Sequence, residues 1–162
     1  MQLSEFTSSI TVHASRDAVF SAIQNFRAWW SEEIVGVTDQ LNGIFFHHYK
    51  DIHLCKLKQI ESIPGQRLVY EVIDNTFSFV ADKTEWIGTH LVFELSETDG
   101  LTTIHFTHEG LVPSYECYEI CEDAWTTYIQ VSLRALIETG KGQPNPRDAD
   151  GINASIVEKW LS

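Results

Sequence analysis

Positive charge is scarce in this chain. Its 162 residues carry 11 Lys and Arg against 23 Asp and Glu, a formal net charge of −12. So acidic a surface repels phosphate backbones and anionic bilayers, and no basic cluster offers a local exception. Nucleic-acid binding is therefore not expected. Cysteine is also scarce. Cys55, Cys117 and Cys121 form an odd set, which argues against a disulfide framework. Residues 1–5 lack the basic and apolar regions of a secretory leader, so the expected setting is a cytoplasm with reduced thiols. In that setting the sequon Asn153-Ala154-Ser155 is accidental. No run approaches the ~18 to 20 apolar residues of a membrane span, so membrane insertion is not expected. Gly140-Lys141-Gly142 ends a helical pattern instead of opening one, so it cannot cradle phosphate as a glycine-rich loop does. A Gly-x-Ser-x-Gly elbow, internal repeats and low-complexity tracts are all missing.

What is present is a globular composition rich in rings. Hydrophobic residues make up 43%, enough for one domain with a real core. The rings are 5 Trp, 5 Tyr and 9 Phe, so either the core is unusually aromatic or some of them line a pocket. Residues 5–13 alternate, with Phe6, Ser8, Ile10 and Val12 on one side, and read as a strand. Ser15 is placed to cap a short helix carrying Asp17, Val19, Phe20 and Ile23. Asn25 opens a second short helix with Phe26, Trp29 and Trp30.

A β region follows. Asn42-Gly43 turns into a strand over 44–49, and 52–63 reads as a strand whose broken alternation predicts a bulge. Pro64-Gly65 turns into the strand 67–74, while 77–85 reads as a short strand or a loop. Residues 86–96 place Ile87, Thr89, Leu91, Phe93 and Leu95 on one face. After Thr98-Asp99-Gly100, residues 101–110 place Ile104, Phe106 and His108 together. The period then changes. Tyr118, Cys121, Trp125, Tyr128 or Ile129, Ser132 or Leu133, and Leu136 recur at helical spacing from Pro113 to about Thr139, and Gly140 stands at the helix end. The segment 143–151 reads as a loop. Ile152, Ile156, Val157, Trp160 and Leu161 suggest a short terminal helix that docks back or meets a partner, for instance in a homodimer.

The expected architecture is α+β: a curved antiparallel sheet of about six strands around one long C-terminal helix, with two short helices after strand one. A sheet wrapped around a helix leaves a space between them, the natural ligand site. The order of motifs resembles the START/Bet v1-like superfamily, in the branch named after the C-terminal domain of activators of the Hsp90 ATPase. The resemblance rests on Ile10-Thr-Val-His-Ala-Ser-Arg-Asp-Ala-Val-Phe20, Trp29-Trp30, Asn42-Gly43-x-Phe45 and the hairpin Ile60-Glu-Ser-Ile-Pro64-Gly-Gln-Arg-Leu68. It continues through Gly110-Leu111 and Trp125-x-x-Tyr128-Ile-x-x-Ser132-Leu-x-x-Leu136-x-Glu138-x-Gly140. It implies a helix-grip domain over 1–142, with 143–162 as a tail, and a cavity for a small hydrophobic or aromatic molecule.

Within that frame the expected ligand-binding residues are Leu91, Phe93, Ile104, Phe106, His108, Trp125 and Ile129 as lining. Tyr70, Tyr128 and His108 would supply directed hydrogen bonds, and Trp29 and Trp30 would stand near the mouth. No catalytic residue, cofactor or metal is assigned. His47 and His48 point to opposite faces of a strand, and so do His105 and His108, so neither pair converges on one ion. His90 and His105, both outward, are expected to pair across the sheet. Alternation sends Glu71 and Glu109 outward, so no histidine–carboxylate dyad forms with His108. Cys117 and Cys121 share a helix face but sit among acidic neighbours that disfavour a thiolate. Two other functions fit the resemblance. One is a chaperone-regulating module, although a chaperone partner is not expected, because the branch takes its name from an architecture with an additional N-terminal domain. The other is an enzyme of the cyclase or dehydratase type working through His108.

Overall fold

The computed structural model describes residues 5–49, 53–77, 86–115 and 118–145. Strand β1 (Phe6–His13) leads into α1 (Arg16–Gln24), whose first turn is closed by Ser15 Oγ accepting from Ala18 N at 3.2 Å. Val19 and Ile23 face the core. The second short helix is a single 3₁₀ turn, Phe26–Ala28, and Asn25 makes no side-chain cap on it.

The remaining strands are β2 (Ile34–Gly36), β3 (Ile44–Tyr49), β4 (His53–Ile63), β5 (Arg67–Phe77), β6 (His90–Thr98) and β7 (Leu101–Glu109). They form one antiparallel sheet in the order β1-β7-β6-β5-β4-β3-β2. The sheet thus has seven strands, one more than expected. β2 escapes a sequence reading because three residues show no alternation, and pairing with β3 alone defines it. The bulge expected in β4 is present, as register shifts at Lys56/Leu57 and Gln59/Glu61. The strand read over 86–96 begins only at His90; residues 86–88 form a turn, and Ile87 is exposed. Asp99 and Gly100 both take positive φ, 54° and 79°, so β6 and β7 join in a tight hairpin. That turn pairs Thr98 with Leu101 and thereby sets His90 opposite Glu109 and His105 opposite Glu94. His90 and His105 consequently do not pair. His90 lies 3.6 Å from Glu71 and 3.8 Å from Glu109, and His105 Nδ1 shares a 2.7 Å hydrogen bond with Ser9 Oγ.

The long helix starts later than its pattern suggests and is not uniform. It comprises α2 (Tyr118–Thr127), a π-helical stretch (Tyr128–Leu133) and α3 (Arg134–Thr139). The wider π turn brings Tyr128, Ile129, Ser132 and Leu133 together onto the buried side, which explains the ambiguous spacing of the sequence pattern there. Gly140 ends the helix at φ +84°. Ser132 Oγ donates to Trp29 O at 2.7 Å and accepts from Gln143 N at 2.8 Å, tying the helix to the 3₁₀ turn and to the chain that follows. The readings of 78–85, of Cys117 and of the terminal helix lie outside the described residues. Among the described residues no helix is long and apolar enough to cross a membrane.

Candidate functional site

Helix and short helices cover one face of the sheet, and every side chain expected to contact a ligand lies in the layer between. That layer has two halves of different chemistry. The first is hydrocarbon. Phe26 is its hub, with ring centroids 5.1 Å from Trp29, 5.0 Å from Phe45, 5.1 Å from Tyr70 and 6.3 Å from Phe93. Phe93 continues to Phe106 at 4.9 Å, and Phe106 to Trp125 at 4.8 Å. Leu91, Ile104 and Ile129 are fully buried in the same cluster. Rings at these separations touch, so this half is packed as an ordinary core.

Trp29 and Trp30 are not at a mouth. Both are buried, and Trp29 Nε1 donates to Ile23 O at 3.0 Å. Tyr70 is buried as well, with its hydroxyl engaged by protein partners. Its hydroxyl donates to Thr38 O at 2.8 Å and accepts from Gln59 Nε2 at 2.9 Å, and burial pushes its pKa up.

The second half is built from imidazoles and indoles. Trp30 stacks on His47 at 4.0 Å; His47 meets His53 at 5.0 Å; His53 meets Trp86 at 4.7 Å. Trp86 stacks on Trp125 at 5.8 Å, and Trp125 returns to Trp30 at 5.2 Å. The five rings make a closed circuit. His108 joins it at 4.6 Å from Trp86 and 6.0 Å from Trp125. Tyr128 flanks it, 6.2 Å from Trp30, and its hydroxyl accepts from Asn145 Nδ2. Five elements and two turns supply these seven rings, so the arrangement is a product of the tertiary fold.

His108 is held in one protonation state and one tautomer. Trp125 Nε1 donates to its Nδ1 at 3.0 Å, so Nδ1 is the bare nitrogen and Nε2 carries the proton. That Nε2–H meets Thr89 Oγ1 at 2.7 Å, and Thr89 Oγ1 donates onward to Trp86 O at 2.6 Å. The chain of donors closes with every partner satisfied. Burial, with the nearby His53 and His90, lowers the His108 pKa to about 3. His53 Nε2 donates to Asn75 Oδ1 at 2.7 Å, and burial, opposed in part by that hydrogen bond, takes its pKa to about 4. Both imidazoles are therefore neutral at physiological pH. They present flat faces without charge, and their edges are engaged by Trp125, Thr89 and Asn75. Cys55, next to His47 in register, is a buried thiol whose pKa is raised by burial and by Asp74, so it is not a nucleophile. Among the described residues no group of three or more His, Cys, Asp or Glu is placed to hold a metal ion.

His47, His53, Asn75, Thr89 and Trp86 were not among the expected site residues. The signal for two of them was available: His47 alternates with the buried Phe45, and His53 with Cys55 and Leu57. Of the expected set, Trp30, His108, Trp125 and Tyr128 come together here. Leu91, Phe93, Ile104, Phe106 and Ile129 belong to the packed layer beside it.

No family model matches the sequence, and no curated protein matches it. Solved structures do. The Aha1 dimer of Colwellia psychrerythraea superposes with a TM-score of 0.70 at 19% identity, covering 86% of this chain and 100% of that one. These structures share the fold of this chain, one curved antiparallel sheet against a long C-terminal helix. DynU16, from the dynemicin biosynthetic locus, gives a TM-score of 0.62 at 16% identity over 84% of this chain and 48% of its own. This chain thus spans about half of DynU16. SSP2350 of Staphylococcus saprophyticus gives 0.64 at 12% identity, covering 86% and 95%. At such identities the likeness is one of fold, and function has to be argued from the site.

Proposed function

We propose that the protein binds a small, flat, apolar or aromatic molecule at the imidazole–indole circuit formed by Trp30, His47, His53, Trp86 and Trp125. The observation that supports this reading is the burial of three histidines, His47, His53 and His108, together on one side of the core. A core that served only stability gains nothing from imidazoles that must be kept neutral and individually bonded. A binding site gains faces for stacking and edges that recognise a hydroxyl or carbonyl. The fold, a sheet gripping a long helix, is compatible with the same reading.

Ligand entry displaces Trp86, which sits on the turn before β6 and not on a strand or helix. Apolar burial supplies the affinity, at roughly 25 cal/mol per Å². Catalysis through His108 is the weaker reading, because its one lone pair is already taken by the Trp125 indole N–H. The test is native mass spectrometry of protein purified from cells, with tryptophan-fluorescence titrations against flavonoids, fatty acids and sterols. A retained adduct, or saturable quenching with a thermal shift, supports the proposal. Absence of both in all three classes rejects it.

The likeness that spans the whole Colwellia Aha1 chain favours one second reading, a chaperone-interacting module. Retention of an Hsp90-type chaperone on the immobilised protein, with a changed ATPase rate, would favour this reading over the carrier.

A further inference from the structure

The seven-stranded sheet is open, so it ends in two edges, β1 and β2. A sheet edge offers backbone donors and acceptors to any other strand. β2 is the more hazardous of the two, because the outer face around it exposes Val35, Phe46 and Leu54 to 67%, 51% and 50%. Pairing with β3 fixes which way its backbone groups point. Val37 N donates to Ile44 O at 3.0 Å, so the carbonyl of the same peptide unit, Gly36 O, points away from β3. Two residues back the alternation repeats, and Ile34 O points the same way.

One side chain takes both outward carbonyls. Arg27, on the 3₁₀ turn, donates from Nε to Ile34 O at 2.8 Å and from Nη2 to Gly36 O at 2.9 Å. Its guanidinium fork thus occupies the acceptors that a neighbouring strand would use. Just ahead of β2, Asn145 N donates to Trp30 O at 3.0 Å and Asn145 O accepts from Glu32 N at 2.9 Å, which continues the cover. The opposite edge is treated alike: Gln130 Nε2 donates to Ser9 O at 3.1 Å, and Arg134 Nη1 to Thr11 O at 3.3 Å. Both ends of the sheet are therefore closed by long polar side chains from the helical layer. Arg27 is exposed, so its side chain can leave β2 without opening the core.

We propose that Arg27 closes the β2 edge against a second copy of this chain, and that without it two β2 strands pair antiparallel about a twofold axis. The register that uses both outward residues of each copy sets Ile34 of one opposite Gly36 of the other, and so Val35 opposite Val35 on the axis. The test is sedimentation of the full chain over a concentration series. Arg27→Ala shifts the sedimenting mass toward twice that of wild type. Arg27→Lys, which keeps the charge but loses the fork, does so to a smaller extent. Val35→Lys added to Arg27→Ala returns the mass to the wild-type value, because like charges then stand directly opposite each other. Mixing that double variant with Arg27→Ala/Val35→Glu restores the association. Three results overturn the proposal. One is Arg27→Ala sedimenting as wild type, or Arg27→Lys doing so where Arg27→Ala does not fold. The second is association that survives Val35→Lys, which assigns it to unfolding or to another surface. The third is a wild-type dimer that Val35→Lys splits, which shows the edge to be open with Arg27 in place.

Discussion

Acidification should destabilise this protein through its buried imidazoles, and the size of the effect follows from the structure. His53 and His108 have folded-state pKa values of about 4 and about 3, below the unfolded value of 6.5. Between those limits the unfolded chain binds more protons than the folded one, so stability falls as pH falls through that window. From about pH 7.5 to about pH 5.5 each histidine removes about 1.4 kcal/mol, and the pair about 3 kcal/mol. The loss hardly depends on how deep the folded pKa values lie, provided both are below ~5. At about 2–4 °C per kcal/mol for a chain of this size, Tm drops by about 6–12 °C.

Every other ionisable group is common to wild type and variant, so the decisive measurement is comparative. His108→Gln keeps a polar side chain but removes the titrating group. Urea unfolding over the pH series should show the variant less stable at pH 7.5, with a pH dependence shallower than wild type by about 1.4 kcal/mol. Parallel curves would mean that His108 is not held neutral, and the bonding chain Trp125–His108–Thr89 would be wrongly drawn.

Other perturbations separate packing from site. Phe26→Ala removes the ring on which Trp29, Phe45, Tyr70 and Phe93 converge, and should cost about 3–5 kcal/mol by denaturant unfolding. A loss under ~1 kcal/mol would show that half of the interior to be loosely filled. Gly142→Ala places a Cβ 2.3 Å from Ala28 O and 3.1 Å from Ser132 O, so it should lower stability by about 1–3 kcal/mol, read in the same assay. Ser15→Ala deletes the α1 cap and should cost about 1 kcal/mol, with Ser15→Asp restoring most of it. A bound aromatic guest at ~100 times its Kd should add about 2.7 kcal/mol, and His53→Phe should weaken that gain without lowering Tm in proportion.

Much of the fold was legible in the sequence because its determinants are local. Alternation placed Phe6, Ile10 and Val12 inside, and the broken alternation after His53 announced the β4 bulge. The Asp99-Gly100 turn even contains the β6–β7 register, which refutes a His90–His105 pair once it is counted out. What stayed hidden depends on partners distant in the chain. β2 exists only because Phe45, Phe46 and His47 lie beside it. The π turn buries Tyr128, Ile129, Ser132 and Leu133 together, with Tyr128 against Trp30 and Ser132 bonded to Trp29 O. The site was the least legible part. His47 and His53 are inward by alternation alone, yet only the curvature of β3 and β4 brings them to Trp30, Trp86 and Trp125.

The division of the interior also explains how one domain can combine a rigid core with the proposed binding site. The Phe26 half is built from the 3₁₀ turn, β3, β5 and β6, and ring and aliphatic contacts dominate it, with hydrogen bonds only at the Trp29 and Tyr70 edges. The histidine half depends on directed bonds: Trp125 to His108, His108 to Thr89, His53 to Asn75. Directed bonds rigidify a site while complete and weaken it sharply when one partner turns away. Trp86 is pinned by ring contacts on three sides but is carried on a turn, so its movement would expose imidazole edges while the Phe26 half stays closed. Opening is then a local event. Hydrogen exchange should find its lowest protection in the amides around Trp86–Thr89, well below that of Phe93 or Phe106, and a bound guest should narrow that gap.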